Sequence, residues 1–65
     1  MGGISIVLPV FNERENINKQ IEEIESKVKT KFEILIIYDF DQDDTIPIVK
    51  RAQKKFKNVK LLKNT

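Results

Sequence analysis

The stretch that most constrains the fold is Phe32–Thr45, FEILIIYDFDQDDT, in which an apolar run ends abruptly and an acidic segment follows. The apolar part, Phe32–Tyr38, predicts a buried strand. Because Ile34–Ile37 are consecutive aliphatic residues, we expect both faces of this strand to be covered, as in a parallel sheet with helices on either side. The acidic segment contains Asp39, Asp41, Asp43 and Asp44. The acidic loop, Asp39–Thr45, follows the strand at the edge where such sheets bind their ligands.

The size and composition of the chain exclude several kinds of site. A chain of 65 residues forms one small domain at most and buries a modest share of its surface, so we expect a part of a larger, truncated domain. Without cysteine or histidine, disulfides, Cys/His zinc sites and a Ser-His-Asp triad within the chain are excluded. No apolar run approaches the roughly 18 residues of a membrane span, and the N-terminus does not resemble a signal peptide. We therefore expect a cytoplasmic protein.

The net charge of +2 hides an asymmetry along the chain. All ten acidic residues lie at or before Asp44, whereas the segment from Ile46 to Thr65 contains seven basic residues and no acid. This basic half is interpreted either as a solvated helix face and strand edge, or as a surface that attracts phosphate on a lipid or on an anionic acceptor. Nucleic acid is disfavoured as a partner because only Phe56 interleaves the lysines.

The first half of the chain predicts a strand and a helix. After Met1–Gly3, a short flexible lead, the run Ile4–Val10 has the length of a strand, and Pro9 marks its end because proline cannot donate to the ladder. Asn12 is a good N-cap and Glu15 completes an N-x-x-E capping box, so we expect the helix to begin there. Its core face is predicted from spacings of three and four residues. That face contains Ile17, Ile21, Ile24 and Val28.

The second half repeats this order. Thr45 or Asp44 can cap a second helix with Pro47 in its first turn, and Asn58 is expected to break it. The buried stripe of this helix is predicted to contain Ile48, Val49, Ala52 and Phe56. A short third strand, Val59–Leu62, follows. The fold class is therefore α/β, with a three-stranded parallel β-α-β-α-β sheet of strand order 3-2-1. Such a sheet has two open edges, which favour self-association.

Two loops are predicted to meet at one edge of this sheet. Because parallel strands end on the same side, the loop Pro9–Glu13 lies beside the loop Asp39–Thr45. Pro9 and Phe11 can press against a planar ring, while Glu13 and Asp39 can accept hydrogen bonds from a base or a ribose. These features predict a nucleoside pocket. The loops contain no glycine, so the NAD-type Rossmann fingerprint and the P-loop are both absent.

At this point the residues carry a resemblance to a known family. The segment ISIVLPVFNERE, Ile4–Glu15, followed by a helix and by EILIIYDFDQDDT, resembles the N-terminal portion of the family 2 glycosyltransferases with the GT-A fold. It is most similar to the dolichol- or polyprenyl-phosphate mannose or glucose synthase branch. The resemblance covers Ile4 to Leu62. It implies that residues 1–65 are the N-terminal part of a nucleotide-sugar-binding, Rossmann-like GT-A domain.

The resemblance also implies an activity and a set of site residues. The implied reaction is transfer of a sugar from a GDP- or UDP-sugar to an acceptor such as a polyprenyl phosphate, at the membrane surface. Positions that match the nucleoside site of the family are Pro9, Phe11, Glu13, Asp39 and, from the same loop, Asp41. A divalent metal, Mg²⁺ or Mn²⁺, is implied for the full-length family, but its acidic ligands and the catalytic base match no position of this chain. No residue here is assigned to catalysis, and the chain alone is expected to be inactive.

The acidic loop departs from the family pattern. An Asp-Asp-Gly-Ser turn is usual after the second strand, whereas Tyr38 stands here for the first aspartate, Phe40 for the glycine and Asp41 for the serine. Asp43 and Thr45 are retained. This departure leaves the geometry of the turn and the nucleotide preference open.

Three alternatives to the transferase interpretation remain. IIYDFD matches the D-x-D motif of haloacid-dehalogenase-like phosphatases, with Asp39 as nucleophile and Asp41 as general acid, although Gln42 and Asp43 stand where that motif has Gly and Thr or Val. The alternating aspartates also resemble an EF-hand, but that loop requires a glycine at the position of Asp44 and a glutamate at that of Lys50. The third alternative is a binding or assembly module without chemistry.

Overall fold

The computed structural model describes residues 3–65, so the predicted lead Met1–Gly3 lies outside the described residues except for Gly3. The elements follow one another as β1 (Ile4–Pro9), α1 (Ile17–Lys27), β2 (Phe32–Tyr38), α2 (Thr45–Lys55) and β3 (Val59–Lys63). The predicted β-α-β-α-β order is confirmed, β2 has the predicted bounds, and β1 ends at Pro9 as expected.

The three strands form one parallel sheet with β2 in the centre. Its order is β1-β2-β3, which is the predicted 3-2-1 order, and both strand pairs are parallel. Across the sheet, Ile36 of β2 lies opposite Leu8 of β1 and Leu61 of β3. Within the described residues β1 and β3 each pair with β2 alone, so each leaves one edge open. Self-association through these edges stays a prediction.

Both helices pack on the same face of the sheet. Alternate residues of a strand point to the same side, and on one side of β2 Ile34 and Ile36 are completely buried. They share a single core with residues of both helices, and the helices contact each other. The core contains Val10, Ile17, Ile21, Ile34, Ile36, Val49, Ala52 and Val59. Two right-handed crossovers that progress in the same direction across a sheet place both helices on one face.

The opposite face of the sheet, which we call the open face, is not covered within residues 3–65. Val7 of β1 is 55% exposed and Leu62 of β3 is 46% exposed. Between them lie the half-buried Leu35 and Ile37 of β2, opposite Val7 and Leu62 respectively. The prediction of helices on either side is therefore wrong for this part of the chain. Ile34–Ile37 are all apolar, but only alternate residues of this run reach the helices.

Helix α1 begins four residues later than predicted, with its N-cap at Asn16 and not at Asn12. Residues 14–16 form a turn in which the Glu13 carbonyl oxygen accepts the N–H groups of Asn16 and Ile17 at 3.0 and 2.9 Å. The N-cap is Asn16, which makes no side-chain capping bond. The predicted N-cap role of Asn12 is wrong. The core face is confirmed for Ile17 and Ile21, which are completely buried.

Helix α2 begins at Thr45 with Pro47 in its first turn, as predicted. Its N-cap, Asp44, makes no side-chain capping bond. Instead, the Asp43 carboxylate accepts the Thr45 N–H at 2.8 Å. The buried stripe is confirmed, but the helix ends at Lys55, before the predicted break at Asn58.

Candidate nucleotide-binding crevice

The loops after β1 and β2 lie side by side at the carboxyl edge of the sheet, as predicted. The pairing of Pro9 with Ile37 brings both strands to the same edge. Directly beyond it, the Val10 N–H donates to the Ile37 carbonyl oxygen at 2.9 Å, and Val10 is buried in the core. The first loop therefore starts from a fixed point beside the acidic loop. Ligands of open parallel α/β sheets bind in this crevice.

The two loops are joined by a set of hydrogen bonds that we call the loop clamp, formed by Asn12, Glu13, Asp43, Asp44 and Thr45. The Asn12 N–H donates to both carboxylate oxygens of Asp43, at 3.1 and 3.2 Å. In return, the Asp44 N–H donates to the side-chain oxygen of Asn12 at 3.1 Å. The Thr45 hydroxyl oxygen accepts the Glu13 N–H at 2.8 Å. These bonds connect residues about 30 positions apart and fix the first loop against the start of α2.

Asp43 is the buried centre of the loop clamp. It is 2% exposed, and Thr45 beside it is completely buried. Burial alone raises the pKa of a carboxyl group by disfavouring its charged form, but hydrogen bonds from the Thr45 side chain and N–H and from the Asn12 N–H outweigh this, so that the pKa of Asp43 is lowered. The carboxylate also lies at the N-terminus of α2, where the helix dipole favours negative charge. Asp43 is thus a structural carboxylate that holds the crevice in shape.

Asn12 adopts a backbone conformation that explains why α1 does not begin there. Its φ is 49°, in the left-handed region, which is incompatible with an N-cap leading directly into a right-handed helix. Asparagine tolerates this region better than other residues with a side chain. Its partners lie on a distant loop, so a local capping pattern could not reveal this role.

We expect Asn12→Ala to destabilise the chain more than Asn12→Gly. Both variants lose the bond to the Asp44 N–H, which costs about 1 kcal/mol. Alanine adds about 1 kcal/mol of strain at positive φ, which glycine adopts freely. Urea unfolding followed by circular dichroism should therefore rank the midpoints as native, glycine variant, alanine variant. Equal midpoints for the two variants would show that the left-handed conformation is not maintained in solution.

The structure places the predicted site residues of the first loop at the rim of the crevice. Pro9 is exposed at the end of β1, Glu13 is half-buried, and Phe11 is 66% exposed. The Phe11 ring packs against the ring of Phe40 from the acidic loop, with centroids 5.6 Å apart and planes inclined by 55°. Phe40 was not predicted as a site residue. Its position in place of the family's glycine was the signal that could have pointed to it.

The predicted site residues of the acidic loop turn toward β3. The exposed Asp39 accepts a hydrogen bond from the Asn64 side chain at 2.9 Å. Asp41 forms an ion pair with Lys63 at 3.1 Å, also exposed to solvent. Lys63 is the last residue of β3, one residue beyond the predicted end of that strand, and Asn64 follows it. Neither was predicted to take part in the crevice. The crevice thus has a β1 side around Phe11 and a β3 side around Asp39 and Asp41.

The four aspartates do not converge on a common point. Asp39 and Asp41 are held by Asn64 and Lys63, whereas Asp43 is enclosed by the loop clamp. In residues 3–65 no group of three or more potential ligands is placed so that it could hold a metal ion. The described residues therefore do not fit the divalent metal that the family implies, and no chemical step is assigned to it. The same dispersal gives no support to a calcium loop.

The fold and the crevice together define an open parallel α/β domain with its ligand edge formed by two joined loops. Residues 5–65 match the family model described as Glycosyl transferase family 2. The chain belongs to this family, which sets aside the phosphatase alternative. No solved structure gives a significant match.

Three relatives illustrate the similarity. Glycosyltransferase AglE of Haloferax volcanii is 33% identical over 61 residues, covering 91% of this chain and 20% of the relative. A dolichyl N-acetyl-alpha-D-glucosaminyl phosphate 3-beta-D-2,3-diacetamido-2,3-dideoxy-beta-D-glucuronosyltransferase of Methanococcus voltae is 38% identical over 68 positions, covering 98% and 21%. Undecaprenyl-phosphate 4-deoxy-4-formamido-L-arabinose transferase of Pseudomonas syringae is 33% identical over 55 residues, covering 80% and 16%. The chain thus spans about a fifth of the length of these relatives.

Proposed function

We propose that residues 1–65 form the N-terminal part of a GT-A domain and supply the nucleoside-binding wall of a glycosyltransferase. The reaction is transfer of a sugar from a nucleoside-diphosphate sugar to a polyprenyl-phosphate acceptor at a membrane surface. Family membership and the names of the relatives, two of which include dolichyl or undecaprenyl phosphate, support this proposal. GDP and UDP are both candidate donor nucleotides, and mannose or glucose as the sugar stays a prediction.

The observation that carries the proposal is the joining of the two loops at the carboxyl edge of the sheet. The loop clamp holds the first loop in place, so that the exposed Phe11 ring stands at the rim beside Phe40. A flat apolar ring at such a rim suits stacking on a nucleobase. The exposed carboxylate of Asp39, held in orientation by Asn64, can accept hydrogen bonds from a base N–H or a ribose hydroxyl. We propose Pro9, Phe11, Glu13, Asp39 and Asp41 as the nucleotide-binding residues.

The proposal is tested by titrating the ¹⁵N-labelled chain with GDP, UDP and ADP to millimolar concentration, with and without Mg²⁺. We expect amide shifts concentrated in the two loops, around Phe11 and Asp39. Asp39→Asn should raise the Kd obtained from these shifts by about tenfold or more, since a hydrogen bond to a charged group contributes about 1.5–3 kcal/mol. Glu15→Gln is the matched control, because it also converts an exposed carboxylate to an amide in the turn before α1. Shifts scattered over the surface, or none, would overturn the assignment of the crevice.

A further inference from the structure

One face of α2 carries a concentration of positive charge that the crevice does not use. Four of its eleven residues are basic, and a fifth basic residue follows in the turn to β3. All five are exposed. We call this surface the basic face. It contains Lys50, Arg51, Lys54, Lys55 and Lys57.

The packing of α2 fixes the direction in which the basic face points. Thr45, Val49 and Ala52 are buried against the sheet and α1. At about 100° per residue, the four helical cations occupy an arc of about 140° on the opposite side of the helix. Because the other side of α2 is packed in the core, the cations face solvent together as one patch.

Few negative charges oppose this patch. No acidic residue follows Asp44 in the chain. In the part of the chain that the structure describes, the ion pair that involves the basic face joins Lys55 to Glu22 of α1 at 3.6 Å, with both side chains at least half exposed. Such an exposed pair neutralises little. Helix α1, by contrast, carries three glutamates and two lysines.

We propose that the basic face docks the chain on the headgroups of an anionic lipid bilayer. Clusters of four to eight Lys and Arg residues on an amphipathic helix attract anionic lipids, at about 1 kcal/mol per residue near the surface and within a Debye length. Neither helix in the described part of the chain has the length or apolar character to cross a bilayer. The docking is electrostatic, between the basic face and the anionic headgroups. This proposal names the surface by which the chain would reach the membrane location in the proposed function. It rests on that location and not on the nucleotide site.

The docked orientation leaves the crevice accessible. The cations lie in the C-terminal half of α2 and just beyond it, whereas Asp43 and Asp44 stand at its N-terminus, beside the crevice. An anionic surface attracts the C-terminal end of α2 and repels its N-terminal end. Helix α2 therefore tilts with its N-terminus away from the bilayer. The crevice then faces water near the membrane, where a soluble donor and a lipid-linked acceptor can both reach it.

The test measures sedimentation of the chain with vesicles, without nucleotide or sugar, so that its outcome is independent of the crevice. We expect binding to phosphatidylcholine vesicles that contain phosphatidylglycerol, and loss of that binding at about 1 M salt, where the Debye length is about 3 Å. Lys50→Gln with Lys54→Gln should lower the partition coefficient roughly 25-fold, at about fivefold per residue. Circular dichroism should show unchanged folding, because both side chains are exposed.

The matched control is Lys19→Gln with Lys27→Gln on α1. It removes the same charge from exposed positions and also includes one lysine in the last turn of its helix. We expect a change smaller than the fivefold effect of one residue at the surface. Equal losses for the two double variants would overturn the basic face as the docking surface. Equally strong binding to pure phosphatidylcholine, or tighter binding to single-stranded RNA at the same salt, would overturn an anionic bilayer as its partner.

Discussion

Ile36→Ala is expected to remove most of the stability of the folded chain. Ile36 is completely buried at the centre of the sheet, in the core shared by both helices. Truncating such a side chain costs about 2–5 kcal/mol through lost burial and the cavity left behind. A domain of this size has about 3–10 kcal/mol in total, at about 0.05–0.15 kcal/mol per residue. We therefore expect a large fall in the urea midpoint and partial unfolding at 25 °C.

The adjacent isoleucine provides the control for this prediction. Ile37 has the same side chain in the same strand, but it points to the open face and is half-buried. Ile37→Ala removes less buried surface and leaves a gap that solvent can enter, so we expect a loss of about 1 kcal/mol. Urea unfolding followed by circular dichroism compares the loss in free energy of unfolding of the two variants. Similar losses would mean that the second face of β2 is also covered in solution, by self-association or otherwise, which sedimentation of the native chain would reveal.

These two residues also show what the sequence could predict about the sheet. Strand β2 was predicted with its observed bounds because an uninterrupted apolar run followed by aspartates has few other interpretations. The parallel order followed from the short connections through α1 and α2. That both helices cover the same face of the sheet could not be predicted. An apolar run such as Ile34–Ile37 has the same sequence whether its second face meets a helix or a different part of a larger protein.

The crevice, too, could be predicted from the sequence only in part. Strand direction alone predicted that the loops at Pro9 and Asp39 meet, and the structure confirms it. The partners of individual side chains depend on contacts across the fold, such as those of Asn12 with Asp43 and of Asp39 with Asn64. A local capping pattern at Asn12 was therefore misleading, since its hydrogen bonds go to a loop about 30 residues away. The role of Lys63 was hidden for the same reason.

Asp43→Asn is expected to loosen the joined loops and to destabilise the chain by about 1.5–3 kcal/mol. The carboxylate accepts the N–H groups of Asn12 and Thr45 while 2% exposed. An amide has one acceptor oxygen and presents its NH₂ group to these donors, so a buried bond to a charged group is lost, at about 1.5–3 kcal/mol. Asp41→Asn is the control, because its exposed ion pair with Lys63 contributes at most about 1 kcal/mol. Amide shifts at Asn12 and Thr45 should accompany the loss in Asp43→Asn alone.

The same variant should change the response of the chain to acid. The pKa of Asp43 is lowered in the folded state, whereas in the unfolded chain it has the ordinary aspartate value of about 3.9. As the pH falls, the Asp43 carboxylate is therefore protonated in the unfolded chain before it is protonated in the folded chain. The stabilisation is therefore fully present above that value and is lost as the pH falls through the folded-state pKa. Asp43→Asn has no such proton to bind, so its free energy of unfolding should fall less steeply between about pH 5 and pH 2 than that of the native chain. Parallel curves for the two proteins over this range would mean that Asp43 is not held ionised by Asn12 and Thr45, and the loop clamp would lose its electrostatic basis.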